Sequence, residues 1–187
     1  MSRRRSRFKA RSIRLTRRPP FWLLVLVAAL ILLRYGDLSF SPTPPESLSE
    51  GTYAVQRVVD GDTLVLANQA RVRLIGVDTP ETKHPDLPVE PFGPEAAEFT
   101  RRFVADAGGS VRLEFDRERV DRYDRFLAYV WAGDRMLNEE LVRAGLATAA
   151  TQYRYSEAMK RRFRRAEDEA RAAGRGIWSL EPVAGSL

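Results

Sequence analysis

Cysteine is absent from this chain of 187 residues, and histidine occurs once, as His84. The absence of cysteine excludes disulfide bonds and thiolate metal sites, and it is compatible with an oxidising compartment without requiring one. Because His84 lies between Lys83 and Pro85 in a proline-rich stretch, we expect it to be a surface residue rather than a ligand or a base. Any metal site in this chain therefore uses oxygen ligands, which favours Ca²⁺ or Mg²⁺ over zinc.

Acidic residues are missing from the first 18 positions, which hold nine of the 31 basic residues. The rest of the chain carries 22 basic against 25 acidic residues, so the high sequence pI of about 10.0 is a property of this tail. The folded part must consequently bind any polyanion through local charge rather than through its net charge.

The chain has one long apolar run, residues 21–33, and its thirteen residues are short against the roughly 20 that a spanning helix needs. The basic leader, the aromatic residues at one end and Arg34 and Tyr35 at the other are typical of a membrane segment. Because no small-x-small cleavage pattern follows, we predict an uncleaved signal-anchor. Residues 1–20 then form a cytoplasmic tail, residues 21–35 the transmembrane helix, and the rest lies outside. A cleaved secretory signal and a buried core helix are the alternatives.

Residues 36–51 are rich in proline and serine and predict a linker, followed by one folded domain over 52–181 and a short tail over 182–187. Runs of β-branched and apolar residues predict strands over 53–59, 63–67, 71–77, 111–115 and 126–131. Apolar spacings of three and four predict helices over 94–107, 138–144 and 156–173, with Asn138 as the cap of the second.

This order predicts an α+β fold, a five-stranded β-barrel of OB type with three helices, preceded by the N-terminal transmembrane helix. Periodicity alone does not separate such a barrel from another α+β fold. Tyr53, Tyr153 and Tyr155 are candidates for stacking on bases, although the barrel core is the expected place of Tyr53 and Tyr129.

Two predicted strand ends carry candidate metal ligands: Asp62 in the Asp60-Gly61-Asp62 turn, and Asp78 with Thr79 before a proline. Each segment alone is more typical of a simple turn. Together they offer oxygen ligands for a hard cation. Glu81 follows Asp78 by three residues, within reach of a metal-bound water that it would position or deprotonate. The alternative for Glu81 is an exposed loop residue.

Two arginines suit a phosphate, Arg73 in the middle of the third strand and Arg125 at the start of the fifth. Guanidinium groups bind two phosphate oxygens at once and stay charged, so a pair of them stabilises the charge that develops in phosphoryl transfer. A cross-strand ion pair is the alternative for each. Arg122 and Tyr123 are candidates for contacts with a terminal phosphate.

Several segments resemble the staphylococcal (micrococcal) nuclease family, collinearly over about residues 53–180. They are Val59-Asp60-Gly61-Asp62-Thr63; Arg73 with Val77-Asp78-Thr79-Pro80-Glu81-Thr82-Lys83-His84-Pro85; Phe92-Gly93-Pro94-Glu95-Ala96; Asp121-Arg122-Tyr123-Asp124-Arg125 with Leu127-Ala128-Tyr129-Val130; Asn138-Glu139; and Gly176-Ile177-Trp178.

The resemblance implies an OB-fold barrel with three helices, Ca²⁺-dependent cleavage of DNA and RNA, and 3′-phosphate products. It implies that Asp62 and Asp78 bind calcium through carboxylates and Thr79 through its backbone carbonyl. It also implies that Glu81 activates or positions the attacking water. Arg73 and Arg125 are then expected to bind the scissile phosphate, and Arg122 and Tyr123 the substrate's other phosphate.

Three positions depart from the family pattern. Leu87 stands in place of a phosphate-binding lysine, Thr151 in place of a base-stacking tyrosine, and Asp124 in place of the glycine before the catalytic arginine. Substrate affinity and base preference are therefore expected to differ. An aspartate tolerates a left-handed backbone, so Asp124 need not distort its loop.

The sequence thus predicts a monomeric, Ca²⁺-dependent endonuclease of low sequence specificity. DNA and RNA are its expected substrates, and residues 21–35 are its expected contact with a membrane. Two alternative functions stay open: a non-catalytic OB-fold module that binds nucleic acid, and a phosphodiesterase that acts on small nucleotides. A secreted form, released by signal cleavage, is the alternative location.

Overall fold

The computed structural model describes residues 43–82 and 90–179, together with Trp22, Val25–Val27 and Leu30. The chain divides into two units, residues 1–40 and 41–187. Those five N-terminal residues are helical and exposed. No helix in the described part of the chain is long and apolar enough to cross a membrane. Most of the predicted segment 21–35 lies outside the described residues, as do the tails 1–20 and 182–187, His84 and Leu87.

The described part of the second unit contains eight strands, three α-helices and one 3-10 helix. The strands are β1 (Gly51–Asp60), β2 (Thr63–Leu66), β3 (Arg71–Leu74), β4 (Val77–Asp78), β5 (Ser110–Val120), β6 (Phe126–Ala132), β7 (Arg135–Met136) and β8 (Thr148–Ala149). The helices are α1 (Gly93–Asp106), α2 (Leu137–Arg143) and α3 (Glu157–Ala172), and the 3-10 helix spans Gly176–Ser179.

Five strands close a barrel in the order β3-β2-β1-β5-β6. Neighbouring strands are antiparallel, except that β6 returns to pair in parallel with β3, Arg73 lying opposite Leu127. This parallel pair closes the sheet on itself, and the prediction of a five-stranded OB-type barrel with three helices is confirmed. The interior is filled by aliphatic side chains that are at most 1% exposed, among them Leu64, Leu66, Val72, Leu74, Leu113 and Val130.

The third strand is shorter than the predicted 71–77, because the chain turns at Ile75 and Gly76. Gly76 has φ +72, and a Cβ there would lie 2.6 Å from Cζ of Tyr155. A glycine is therefore required for both backbone and packing reasons. Beyond the turn, the two residues of β4 pair with β8 instead of continuing β3. The Asp78 carboxylate accordingly belongs to a separate short ladder.

Helix α1 begins and ends within one residue of the prediction and buries Ala96 and Phe103. Its Thr100 donates a hydrogen bond from Oγ1 to the carbonyl of Gly61, at 2.6 Å, and both residues are buried. A buried hydroxyl bond of this kind fixes the β1–β2 turn against the helix. Helix α3 also agrees with the prediction and packs Phe163 against Tyr129 and Tyr155.

The prediction that Asn138 caps α2 is wrong. Met136 occupies the cap position, and Asn138 is the second residue of the helix, with no exposed surface. Its side chain accepts a hydrogen bond from the Val130 N–H at 3.0 Å and donates one to the Ile75 carbonyl at 2.9 Å. Burial thus directs the amide to the backbones of β6 and of the turn that follows β3, where it pairs two buried polar groups.

Contacts with the barrel begin before Thr52, where the folded domain was predicted to start. Leu48 is 5% exposed and belongs to the hydrophobic core. Its carbonyl accepts a hydrogen bond from Arg119 at 2.6 Å, and the Glu50 carboxylate accepts one from the Phe115 N–H at 3.2 Å. The C-terminal end of the proline-rich segment therefore braces β5.

Candidate active site

Six of the residues singled out from the sequence line one cleft of about 390 Å³, which opens where the β1–β2 turn, β3 and the β5–β6 connection meet. Five of them were predicted site residues, and the sixth is Asp60. The full lining is Asp60, Asp62, Thr63, Arg71, Arg73, Glu81, Tyr123 and Arg125. Carboxylates and guanidinium groups from distant parts of the sequence thus face the same space.

Asp62 is the most enclosed carboxylate of the cleft, at 5% exposure. Its Oδ2 accepts a hydrogen bond from the backbone N–H of Thr79 at 3.0 Å, and its Oδ1 accepts one from the Thr63 hydroxyl at 3.2 Å. The preceding Gly61 has no room for a side chain, since a Cβ would lie 2.7 Å from Ala96 and from Thr79. The turn is therefore clamped to β4 and α1, unlike a free hairpin turn.

Arg73 connects the two carboxylates among the three predicted metal ligands. Its guanidinium forms ion pairs with Asp62 and Asp78, and its Nη2 lies 2.6 Å from Asp78 Oδ1. The Arg73 side chain is 17% exposed and that of Asp78 is 65% exposed. Burial raises the pKa of Asp78, Arg73 opposes this shift, and the charge of Asp62 adds to it. Two carboxylates consequently converge on one cationic group.

Negative charge is in surplus around Asp62. Burial, the charge of Asp62 and a hydrogen bond to it together raise the pKa of Asp60 to about 6. Among the described residues there is no group of three or more His, Cys, Asp or Glu side chains placed to hold a metal ion. The donor set that is present is two carboxylates, with Thr79 bonded to one of them. Oxygen donors that repel each other fit a hard cation.

Arg125 is held by Asp121, a residue that the sequence analysis did not select. The Arg125 Nε and Nη2 atoms lie 2.8 and 2.7 Å from Asp121 Oδ2. The other oxygen accepts hydrogen bonds from the backbone N–H groups of Arg125 at 3.0 Å and Tyr123 at 2.8 Å. Asp124 has φ +57, the left-handed backbone that was expected to be tolerable there. The spacing Asp-x-x-x-Arg in one turn was the available signal for Asp121.

Tyr123, which lines the cleft, is paired with Arg122. Arg122 donates a hydrogen bond from Nη2 to the Tyr123 hydroxyl at 2.6 Å. The centre of the Tyr123 ring lies 4.7 Å from the Arg122 guanidinium and 5.4 Å from that of Arg125. Tyr123 is 56% exposed, which leaves it open to a ligand.

A second cleft, of about 400 Å³, shares Arg73, Tyr123 and Arg125 with the first. Arg122, Leu127, Tyr153 and Tyr155 also line it. Tyr153 is exposed and Tyr155 is buried, whereas Tyr53 lines neither cleft described here and packs against the core. Thr151 lies outside this lining, and its hydroxyl accepts a hydrogen bond from Arg164 at 3.2 Å.

Glu81 is exposed at the edge of the first cleft. Its backbone is tied to Glu90, because its N–H donates to the Glu90 carboxylate at 3.0 Å and its carbonyl accepts from the Glu90 N–H at 3.2 Å. These bonds hold Glu81 and Glu90 together, and residues 83–89 between them lie outside the described residues. The Glu81 carboxylate is left facing the cleft without an ion-pair partner in the described part of the chain.

A closed barrel with two guanidinium groups and several carboxylates around one cleft defines a protein suited to phosphoryl chemistry. Residues 71–180 match the family described as staphylococcal nuclease homologue. The chain is 42% identical over 164 residues to a thermonuclease of Staphylococcus hyicus, with 84% of this chain and 95% of that protein covered. It is 40% identical over 163 residues to a thermonuclease of Staphylococcus intermedius, covering 83% and 95%.

Endonuclease YncB of Bacillus subtilis (strain 168) is 39% identical over 129 residues, which cover 67% of this chain and 60% of that protein. The chain belongs to the staphylococcal nuclease family, as the resemblance predicted.

Proposed function

We propose that this chain is a Ca²⁺-dependent endonuclease that cleaves DNA and RNA with low sequence specificity and leaves 3′-phosphates. As a family member it is a hydrolytic nuclease. One observation supports the proposed metal dependence and cleavage reaction above all. A single cleft is lined by Arg73, Arg125, Glu81 and the buried Asp62. That combination offers groups for the phosphate, for the water and for a cation.

In this proposal, the two arginines bind the scissile phosphate. Arg73 reaches the cleft from β3 and Arg125 from the β5–β6 connection, and guanidinium groups keep their charge throughout the reaction. Negative charge grows on the phosphate oxygens as the water attacks, so fixed guanidinium groups stabilise the transition state more than the ground state. Asp121 and Asp62 orient the two arginines before the substrate arrives.

Glu81 is the proposed general base. Its carboxylate takes a proton from the attacking water, whose oxygen forms a bond to phosphorus. The bond from phosphorus to the 5′ oxygen breaks, this oxygen leaves as a hydroxyl after protonation, and the phosphate stays on the 3′ side. An exposed carboxylate at the edge of the cleft that has no ion-pair partner among the described residues suits this role, because it can accept a proton without breaking such a pair.

Asp62, Asp78 and the Thr79 carbonyl are the proposed holders of Ca²⁺. A bound divalent cation would neutralise negative charge on the phosphate and next to it. The repulsion of Asp62 with Asp60 and with Asp78 supports this proposal, since an added cation relieves it. Weak calcium sites fill at millimolar concentrations, which are found outside cells.

We also propose that residues 21–35 anchor the enzyme in a membrane with the nuclease domain outside, and that the enzyme is a monomer. The basic leader before the apolar run supports this orientation. The mass of the mature N-terminus separates the anchored form from a secreted one, which would have lost its N-terminal signal. Light scattering of the purified protein tests whether it is a monomer.

The test uses the purified full chain with single-stranded DNA, duplex DNA and RNA, in Ca²⁺ and in chelator, with product end groups determined. We expect Ca²⁺-dependent cleavage that leaves 3′-phosphates. The variant Glu81→Gln should lower kcat by about 10²- to 10⁴-fold. The control Glu95→Gln makes the same charge change at an exposed position outside both clefts and should act like wild type.

Binding without cleavage would favour a non-catalytic module. Activity restricted to small nucleotide diesters would favour a phosphodiesterase. Activity of Glu81→Gln equal to that of Glu95→Gln would remove Glu81 from its role while leaving the nuclease assignment in place.

A further inference from the structure

Most arginines of the described part of the chain are engaged by carboxylates, carbonyls, hydroxyls or aromatic rings. Five are not, and form neither a side-chain hydrogen bond nor an ion pair with another described residue: Arg57, Arg71, Arg117, Arg154 and Arg161. Of these, Arg71 lines the cleft that holds Arg73, Glu81 and Arg125. An unengaged guanidinium in a catalytic cleft is free to bind an anion.

Arg71 lies two residues before Arg73 on β3, so both side chains project from the same face of the sheet. Arg71 is paired with Val65 of β2, and Val65 is paired with Arg57 of β1. Paired residues share a face, and two strand spacings separate Arg57 from Arg71 by about 10 Å. Both arginines are exposed, while Val65 between them is 2% exposed. A short row of positive charge therefore leads out of the cleft.

Arg71 determines the charge balance of the cleft lining. Without it, the lining carries three carboxylates, Asp60, Asp62 and Glu81, against two guanidinium groups. Arg73 and Arg125 are moreover already paired with aspartates. Arg71 balances the lining and is its one guanidinium without an ion pair in the described part of the chain. Its exposed positive charge attracts a strand of phosphates to this face.

We infer that Arg71 and Arg57 form a phosphate-binding track for the part of the nucleic acid strand next to the scissile phosphate. The inference rests on the proposed nuclease function and names its substrate class: a polynucleotide that runs along β1–β3, not an isolated nucleotide diester. The alternative is that the two alkyl stems only shield Val65 from water.

The test compares Arg71→Gln, Arg57→Gln and the double variant with Arg161→Gln, which removes one unengaged charge on α3 outside both clefts. Glutamine keeps much of the alkyl stem, so Val65 stays covered. Binding of a fluorescent 12-nucleotide single strand is measured by anisotropy in chelator, as a function of salt. Cleavage of the same strand and of a dinucleotide is measured in Ca²⁺.

Each track variant should weaken binding of the 12-mer roughly three- to tenfold, and it should reduce the slope of log affinity against log salt by about 0.7 per lost phosphate contact. The loss of kcat/KM on the 12-mer should exceed the loss on the dinucleotide at least threefold. Arg161→Gln should stay within twofold of wild type in both assays. If binding in chelator is too weak to measure, the salt dependence of kcat/KM on the 12-mer supplies the same comparison.

An Arg71→Gln variant that matches Arg161→Gln would overturn the track, as would equal losses on the 12-mer and the dinucleotide. A wild-type protein that binds the strand and never cleaves it would instead overturn the proposed nuclease function. The binding data would still decide the role of Arg71 in that case. The two failures are therefore distinguishable.

Discussion

Replacing Asp121 by asparagine tests whether the position of Arg125 depends on one carboxylate. Asp121 Oδ1 accepts two backbone N–H groups, and Oδ2 faces Nε and Nη2 of Arg125 at 2.8 and 2.7 Å. In Asp121→Asn the amide oxygen can still accept the backbone groups. The new amide NH₂ then points at two guanidinium donors, so both charge-assisted contacts are lost and replaced by repulsion.

The size of the effect follows from these contacts. A hydrogen bond between charged groups contributes about 1.5–3 kcal/mol, but the freed guanidinium, whose side chain is 22% exposed, can regain water. We therefore expect the free energy of unfolding to fall by about 1–3 kcal/mol. A displacement of catalytic groups by about 1 Å can cost 10²-fold in rate, so kcat should fall by about 10- to 100-fold with a small change in KM.

The assay measures kcat and KM on single-stranded DNA, with urea unfolding of the same samples. The matched control is Asp124→Asn, which removes the same charge from the same turn at an exposed position with φ +57, a backbone that asparagine also adopts. Its kcat should stay within twofold of wild type. Equal kcat values for the two variants would refute the view that Asp121 positions Arg125.

Stability as a function of pH gives an independent check on the same residue. Burial alone would raise the pKa of Asp121, but hydrogen bonds from Arg125 and Tyr123 lower it below its usual value. A lowered pKa stabilises the fold above the unfolded pKa, near 4, and this contribution is lost as the pH falls through the folded pKa. The difference in unfolding free energy between wild type and Asp121→Asn should accordingly be largest at neutral pH and shrink below about pH 4.

Two further predictions concern the barrel around the site. Asn138→Ala leaves two buried backbone groups without their side-chain partners. The free energy of unfolding, measured in urea, should therefore fall by about 2–4 kcal/mol. A loss below about 0.5 kcal/mol would contradict a role for these buried bonds in stability. Gly76→Ala combines a positive φ with a Cβ placed 2.6 Å from the Tyr155 ring, and should cost about 2–4 kcal/mol. The control is Gly108→Ala, because Gly108 has a similar φ but open space around the added Cβ, and it should cost only about 1 kcal/mol. Equal losses for the two variants would show that the Tyr155 contact does not contribute.

The five barrel strands and three helices were predictable because their apolar periods are local signals. The pair that closes the barrel did not follow from these periods, since β3 and β6 pair in parallel across more than fifty residues, Val72 with Phe126. The early end of β3 was not predicted either. Gly76 fits inside a strand pattern, and only the approach of Tyr155 reveals why the chain must turn there.

The candidate site was likewise predictable only in part. Carboxylates and arginines with a chemical role, such as Asp62 and Arg125, were recognisable from residue type and motif. Residues that orient them were not, because their partners are set by tertiary packing. Asp121 was taken as part of a loop motif, and Asn138 as a helix cap, which is the usual position of asparagine near a helix start. Burial of Asn138 overrides that preference.

Three buried or half-buried polar contacts join the site to the barrel. Thr100 holds the turn that carries Asp62, Asn138 holds the end of β3 at Ile75, and Asp121 holds Arg125. The first two contacts link a turn near the site to a helix that packs on the barrel, and the third orients Arg125 within the β5–β6 connection. The geometry of the cleft thus depends on the closed barrel as much as on the motifs, and a variant that weakens closure should lose activity before it loses its fold.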